Sequence, residues 1–180
     1  MSNRGVAVVA IGGNALVLDD SHRTVSDQFL AAKRAMKNVA DIVEAGWTVV
    51  LTHGNGPQVG YILRRSELAL DELHPVPMDY AGADTQGAIG YMFQKALRNE
   101  FVRREMPHNV ITIVTQVRVS ADDSAFVTPT KPIGSYMSQD HARKMADEYG
   151  WSISEESGFG WRRVVPSPYP EDIIEFEPIK

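Results

Sequence analysis

A chain of 180 residues with 43% hydrophobic and 23% charged residues suits one core-forming domain with an appended lobe. A net charge of −5 argues against nucleic acid as the main partner, and the lack of cysteine excludes disulfides, thiolate–metal sites and a cysteine nucleophile. The short apolar run before Gly12 is too brief for a signal peptide or a membrane span, so the expectation is a cytoplasmic protein without a membrane partner.

In chain order, Val6–Ile11 has the length and β-branched content of a buried strand and runs into Ala10-Ile11-Gly12-Gly13-Asn14. Phe29, Ala32, Met36, Val39, Ala40 and Val43 then recur at helical spacing, which predicts a helix over 27–45 with Ser26 as N-cap and Gly46 at C′. A second strand is expected over 47–51, and strand–helix–strand implies parallel pairing with a right-handed crossover. Thr52-His53-Gly54-Asn55-Gly56-Pro57 follows it. Pro57 opens a helix reaching Leu70, at a position where a missing N–H costs nothing. His74-Pro75-Val76-Pro77 reads as a loop. Beyond it a long helix is expected over 85–104, with Ala88, Ile89, Met92, Phe93, Ala96 and Leu97 as its apolar stripe, then a third buried strand over 110–114.

After Thr115 the pattern changes. Turn signals at Asp122-Asp123-Ser124, Thr128-Pro129 and Lys131-Pro132-Ile133-Gly134 surround a short helix over 139–149 and strand candidates over 151–154 and 161–165. The stretch reads as an excursion from the sheet, a small lobe that folds over a ligand, with Pro166, Pro168 and Pro170 marking the return path.

Both Gly-Asn phrases fall where strands of a parallel sheet end. Ligands bind at that edge because backbone N–H groups and helix N-termini point there. Gly12 and Gly13 lack a Cβ and admit ligand oxygens to the backbone, while Asn14 adds a donor; a tight turn is the plainer reading of that phrase alone. Gly54, Asn55 and Gly56 repeat the chemistry on the neighbouring strand, and the pair describes a site for small anions and a phosphoryl-transfer enzyme. Gly54 to Gly60 comes near G-x-G-x-x-G, but the last glycine is one position late and no acidic partner follows, so a dinucleotide-binding oxidoreductase is a weaker alternative. No P-loop is present.

Asp84-Thr85-Gln86-Gly87 presents either helix N-terminal amides and the Gln86 side chain to a carboxylate-like substrate, or an ordinary N-cap. Lys131, between Pro129 and Pro132, is either an ammonium held by a stiff turn toward a transferring phosphoryl group or a solvated loop lysine. Arg162 and Arg163 are neighbours on a strand and point to opposite faces. The five histidines show no metal-ligand spacing; His53 stands out only for its place beside Gly54, and the others read as surface residues. Ser21 and Ser66 have no nucleophile-elbow context.

These phrases, with Gln86-Gly87-Ala88-Ile89-Gly90-Tyr91-Met92, Thr115-Gln116-Val117, Pro129-Thr130-Lys131-Pro132-Ile133-Gly134 and Trp161-Arg162-Arg163-Val164-Val165-Pro166-Ser167-Pro168, resemble the carbamate kinases of the amino-acid kinase superfamily. The resemblance implies a three-layer α/β/α sandwich with a mainly parallel sheet and a small protruding subdomain. It divides the chain into a carbamate-binding core (1–115), the protruding subdomain (116–167) and a segment (168–180) returning toward a nucleotide-binding half not present here. It implies phosphoryl transfer between ATP and carbamate, with Mg2+, giving ADP and carbamoyl phosphate, in a homodimer. Gly12, Gly13 and Asn14 would hold the transferring group. Gly54, Asn55 and Gly56, with Gln86 and Gly87, would bind carbamate, and Lys131 would reach in from the lobe. The chain departs from the family at Phe159, where arginine is expected, at Ser124, where proline is expected, and at Asp84-Thr85, where a more apolar pair is expected. A catalytically incomplete kinase fragment, binding only the carbamate and phosphate side, is the alternative.

Overall fold

The computed structural model describes residues 4–12, 15–17, 19 and 21–180, so Gly13 and Asn14 lie outside the described residues. The chain forms two compact units, one of Met1–Val59 with Pro77–Val114, the other of Gly60–Val76 with Thr115–Lys180.

In the first unit β1 (Val6–Ile11) and β2 (Thr48–His53) pair in parallel, with Val6 opposite Thr48 and Ile11 opposite His53. Between them runs α1 (Val25–Glu44). Its N-cap is Thr24 rather than Ser26: the Thr24 hydroxyl accepts from Asp27 N–H at 3.2 Å while Asp27 Oδ2 accepts from Thr24 N–H at 3.0 Å. This reciprocal capping box satisfies two end groups, which a cap at Ser26 would not. The helix closes as expected on Gly46 (φ 95°), whose N–H bonds Val43 C=O at 2.9 Å while Trp47 N–H bonds Ile42 C=O at 3.3 Å. Such paired bonds need a left-handed residue at C′.

The long helix α3 starts well before the expected 85, at Met78, and runs to Arg103. Pro77 takes the N-cap position with extended backbone and supplies no side-chain bond. The signal at Asp84-Thr85 was therefore not a helix start; a rigid proline one loop earlier set it. Helices α1 and α3 enclose the core, in which Ala32, Met36 and Ala40 are completely buried and Ile89, Phe93 and Phe101 nearly so. Ala88, expected on the stripe, faces solvent. At the far end Arg104 ties the helices together, donating to Asp41 Oδ1 at 2.6 Å, Glu44 Oε2 at 2.8 Å and Glu100 Oε1 at 2.8 Å.

The expected strand over 110–114 carries no ladder pairing among the described residues, and Ile111 is 76% exposed. An apolar β-branched run becomes a strand only where a neighbour takes its N–H and C=O groups. The run instead lies on α3, where Gly90 admits Thr112: a Cβ at position 90 would stand 2.2 Å from Thr112 Cγ2. Thr112 Oγ1 donates to Gln94 Oε1 at 3.0 Å. The β1–β2 pair keeps an open apolar face, with Val6 62% and Val8 70% exposed.

Helix α2 (Gly56–Leu68) begins in the first unit and ends two residues short of the expected Leu70. In the second unit β4 (Lys131–Met137), β5 (Ser152–Glu156) and β6 (Gly160–Val165) form an antiparallel sheet in the order β4-β6-β5. The stiff turn expected around Lys131 is thus the start of a strand, with Lys131 opposite Val165 and Pro132 opposite Val164. Proline is tolerated there because β4 is an edge strand. Helix α4 (Gln139–Tyr149) buries Ala142 and Met145; Ser138 caps its start and Gly150 (φ 66°) its end. The entering strand β3 (Val117–Val119) pairs antiparallel with the leaving strand β7 (Pro170–Ile173), and Glu175 accepts from both the backbone and side-chain nitrogens of Gln116. A one-turn helix α5 (Phe176–Ile179) follows. No described helix is long and apolar enough to cross a membrane.

Candidate functional site

The parallel register places the two glycine phrases side by side. Ile11 and His53 are paired as the last residues of β1 and β2, and Gly54 N–H donates to Ile11 C=O at 2.9 Å, closing the ladder. Gly12 and Gly54 are therefore adjacent at the same end of the sheet. The amide hydrogen of Gly54 is spent on that ladder, a correction to the expectation that it faces a ligand.

Helix α2 starts at Gly56, and Val59 N–H already bonds Asn55 C=O at 3.0 Å. The N–H groups of Gly56 and Gln58 are thus the first-turn donors that a helix cannot satisfy itself, next to a proline that has none. Gly12 and Gly56 are exposed, neither has positive φ, and a Cβ at either would meet no atom within 4 Å. Neither turn geometry nor protein packing requires glycine at these two positions, and the backbone there is open to approach from outside.

Asn55 is half-buried, and its Nδ2 donates to Thr85 Oγ1 at 2.9 Å. Thr85 lies inside α3, completely buried, and donates to Gly82 C=O at 2.7 Å. This bond brings α3 to the second loop at Thr85; Gln86 and Gly87 follow it on the helix, turned about 100° and about 200° away from that contact. The Asp84 to Gly87 phrase offers no free helix amides, because it lies in mid-helix. Gly87 is exposed with open space around its Cα. His53 is half-buried, its ring edge-on to Phe93 at 5.8 Å and its Nδ1 3.1 Å from Gly54 C=O. It is a packing residue under the loop. His108, expected at the surface, is half-buried against Phe101 at 5.5 Å.

Sequence reasoning missed Thr85 as the partner of Asn55, and it missed a buried amide pair in which Gln58 Nε2 donates to Gln28 Oε1 at 3.1 Å and Gln28 Nε2 to Arg23 C=O at 3.1 Å. The signal was present: Gln28 stands four residues before Ala32, and Thr85 four before Ile89. A polar residue in phase with an apolar stripe must find a buried partner.

In the second unit Lys131 is exposed. Arg162 and Arg163 do diverge. Arg162 donates to Gly134 C=O at 3.1 Å and to Glu156 Oε1 at 3.3 Å, with its guanidinium 5.1 Å from the Tyr136 ring. Arg163 lies 4.6 Å over Trp151 and lines a cavity of about 320 Å3 with Arg64, Glu67 and His141; burial pushes its pKa down. Phe159 stacks on Tyr136 at 5.5 Å, so the position where the resemblance led to an expectation of arginine closes an aromatic hairpin tip. Among the described residues no group of three His, Asp or Glu side chains is placed to hold a metal ion.

No protein-family model matches the chain. It is 47% identical over 176 residues to a carbamate kinase of Pyrococcus horikoshii and 44% identical over 176 residues to one of Clostridium perfringens, covering 96% of this chain and 56% of each relative. A solved structure of the Giardia lamblia carbamate kinase bound to AMP-PNP superposes with a TM-score of 0.88 at 39% identity, covering 99% of this chain and 56% of that one. The chain spans little more than half the length of the proteins it matches. With the paired glycine loops on parallel strands, these likenesses establish that the chain belongs to the carbamate kinase family and corresponds to the N-terminal half of its members.

Proposed function

We propose that this chain carries the carbamate side of a kinase that moves a phosphoryl group between ATP and carbamate, giving ADP and carbamoyl phosphate. The observation that supports it most is the register of β1 and β2, which sets exposed Gly12 and the Gly54–Gly56 loop next to each other beneath the unsatisfied first turn of α2. A helix start and a bare backbone favour a small oxyanion.

In this reading Gly12, with Gly13 and Asn14 of the same phrase, holds the transferring group. Gly54, Asn55 and Gly56 orient carbamate, with Gln86 and Gly87 on the adjoining helix. Lys131 supplies the cation that neutralises charge on the phosphoryl oxygens. Carbamate is already an anionic nucleophile, so positioning and neutralisation suffice and no general base is required. Among the described residues no three His, Asp or Glu side chains come together as a metal site, and no step is assigned to Mg2+. The nucleotide is likewise assigned to none of these residues. We further propose that the working protein is a cytoplasmic homodimer.

The test is formation of ATP from ADP and carbamoyl phosphate by a coupled assay. Lys131→Ala is expected to lower turnover by about 10²–10³; an equally active variant removes Lys131 from the reaction. A second reading is favoured by coverage of only 56% of the relatives' length: a chain that binds the carbamate side without turnover. Calorimetric titration with ATP separates the two, since tight ATP binding by the 180-residue chain contradicts the second.

A further inference from the structure

We propose that Thr85 is a positioning residue that sets which end of the Asn55 amide faces the ligand, and thereby favours a substrate bearing an N–H group over one without it. The identity of that ligand rests on the kinase reading above; the hold of Thr85 on Asn55 does not.

The argument is one of hydrogen counting. A threonine hydroxyl has one hydrogen. Thr85 spends it on Gly82 C=O at 2.7 Å, an oxygen that can only accept. What remains at Thr85 Oγ1 is acceptor capacity. The Asn55 atom 2.9 Å away must therefore be the donor, Nδ2, and not the carbonyl oxygen. The reversed amide would set two acceptors against each other at a completely buried hydroxyl, which is unfavourable. The orientation of the Asn55 amide is thus decided by the buried helix behind it.

With Nδ2 turned to α3, Oδ1 is the atom left to face away. Among the described residues nothing donates to Asn55 Oδ1. Asn55 directly follows Gly54, whose N–H closes the β1–β2 ladder, so this acceptor sits at the loop pair. A carbamoyl group carries an NH2 that an amide oxygen can accept from. An acetyl group of nearly the same size offers a methyl in that place and gains nothing.

The experiment compares the unsubstituted 180-residue chain with Thr85→Val, which keeps the shape and removes the hydroxyl, and Thr85→Ser, which keeps the hydroxyl. Far-UV circular dichroism confirms folding. Two readouts are taken: hydrogen exchange of the Asn55 side-chain amide by NMR, and the ratio of affinities for carbamoyl phosphate and acetyl phosphate by shift titration. The expected result is slow Asn55 exchange and a preference for carbamoyl phosphate in the unsubstituted chain and in Thr85→Ser. In Thr85→Val, exchange is faster and the preference narrows by up to about tenfold, the value of one hydrogen bond. An unchanged ratio in Thr85→Val, or no preference in the unsubstituted chain, overturns the specificity role. Equal Asn55 exchange in all three chains overturns the positioning itself. If neither phosphate binds the unsubstituted chain, the kinase reading fails, while amide exchange still decides whether Thr85 holds Asn55.

Discussion

In the first unit α1 and α3 bury Ala32, Met36 and Ala40 completely against a layer that includes Ile89 and Phe93, whereas in the second unit α4 brings only Ala142 and Met145 into burial beside Val164. The second unit relies instead on ladder bonds between β4, β6 and β5, on the Arg163–Trp151 and Arg162–Tyr136 contacts, and on positive-φ glycines such as Gly150 at the end of α4 and Gly160 at the start of β6. A side-chain core tolerates turn errors but not lost volume; a thin sheet with little core does the reverse. The form of the two glycine loops follows from this difference. Bare glycines and an unsatisfied helix start can be carried by the first unit because its core lies elsewhere, between the helices.

The comparison breaks first at Met36. Met36→Ala is expected to cost about 2–5 kcal/mol in urea unfolding, because a completely buried side chain leaves a cavity. Loss of amide protection should be concentrated in α1 and α3; uniform loss across both units would contradict the separate-core description.

Gly160→Ala is the matching test in the second unit. Its φ is +115° and a Cβ would stand 2.9 Å from Met137 C=O, a backbone atom that cannot swing away. A cost of about 1–3 kcal/mol is expected, confined to the exchange of β4 and β6 amides.

A pH series sharpens the picture of the clamp between α1 and α3. Hydrogen bonds from Arg103 first, and also from Arg104, lower the Glu100 pKa from 4.5 to about 2. A carboxylate with a depressed folded value adds stability above its unfolded pKa and loses it as pH falls toward the folded one. Stability of the first unit should therefore decline between about pH 4.5 and 2, and Glu100→Gln should flatten that decline. An unchanged slope in Glu100→Gln would remove Glu100 from the acid response.

The smallest effect is expected at the α4 cap. Ser138→Ala removes the hydroxyl that accepts from His141 N–H at 3.3 Å, for about 1 kcal/mol read as faster exchange in the first turn of α4.

Local pattern was enough for β1, which spans the expected residues, for α4, and for the apolar faces of α1 and α3 apart from Ala88. Period and end signals act within a few residues. The start of α3 at Met78, the strand at Lys131 and the unpaired run over 110–114 were not legible, because each depends on what lies beside it in space. At the site, the adjacency of Gly12 and Gly54 could be read from two strands joined by one helix. The phase of Thr85 with the α3 stripe called for a buried partner, but that the partner is Asn55 could not be read, since the two meet only through helix packing.

The amino-acid order by itself determined the elements whose hydrogen bonds close within the segment, and the chemistry of the two loops, since bare backbone and amide side chains are written residue by residue. Tertiary structure alone decided that Gly54 N–H is taken by the ladder, that Gly12 and Gly56 face open space, and that a buried threonine thirty residues away orients Asn55. Hydrogen bonds between distant residues depend on register and helix packing, and neither is a property of any short stretch of chain.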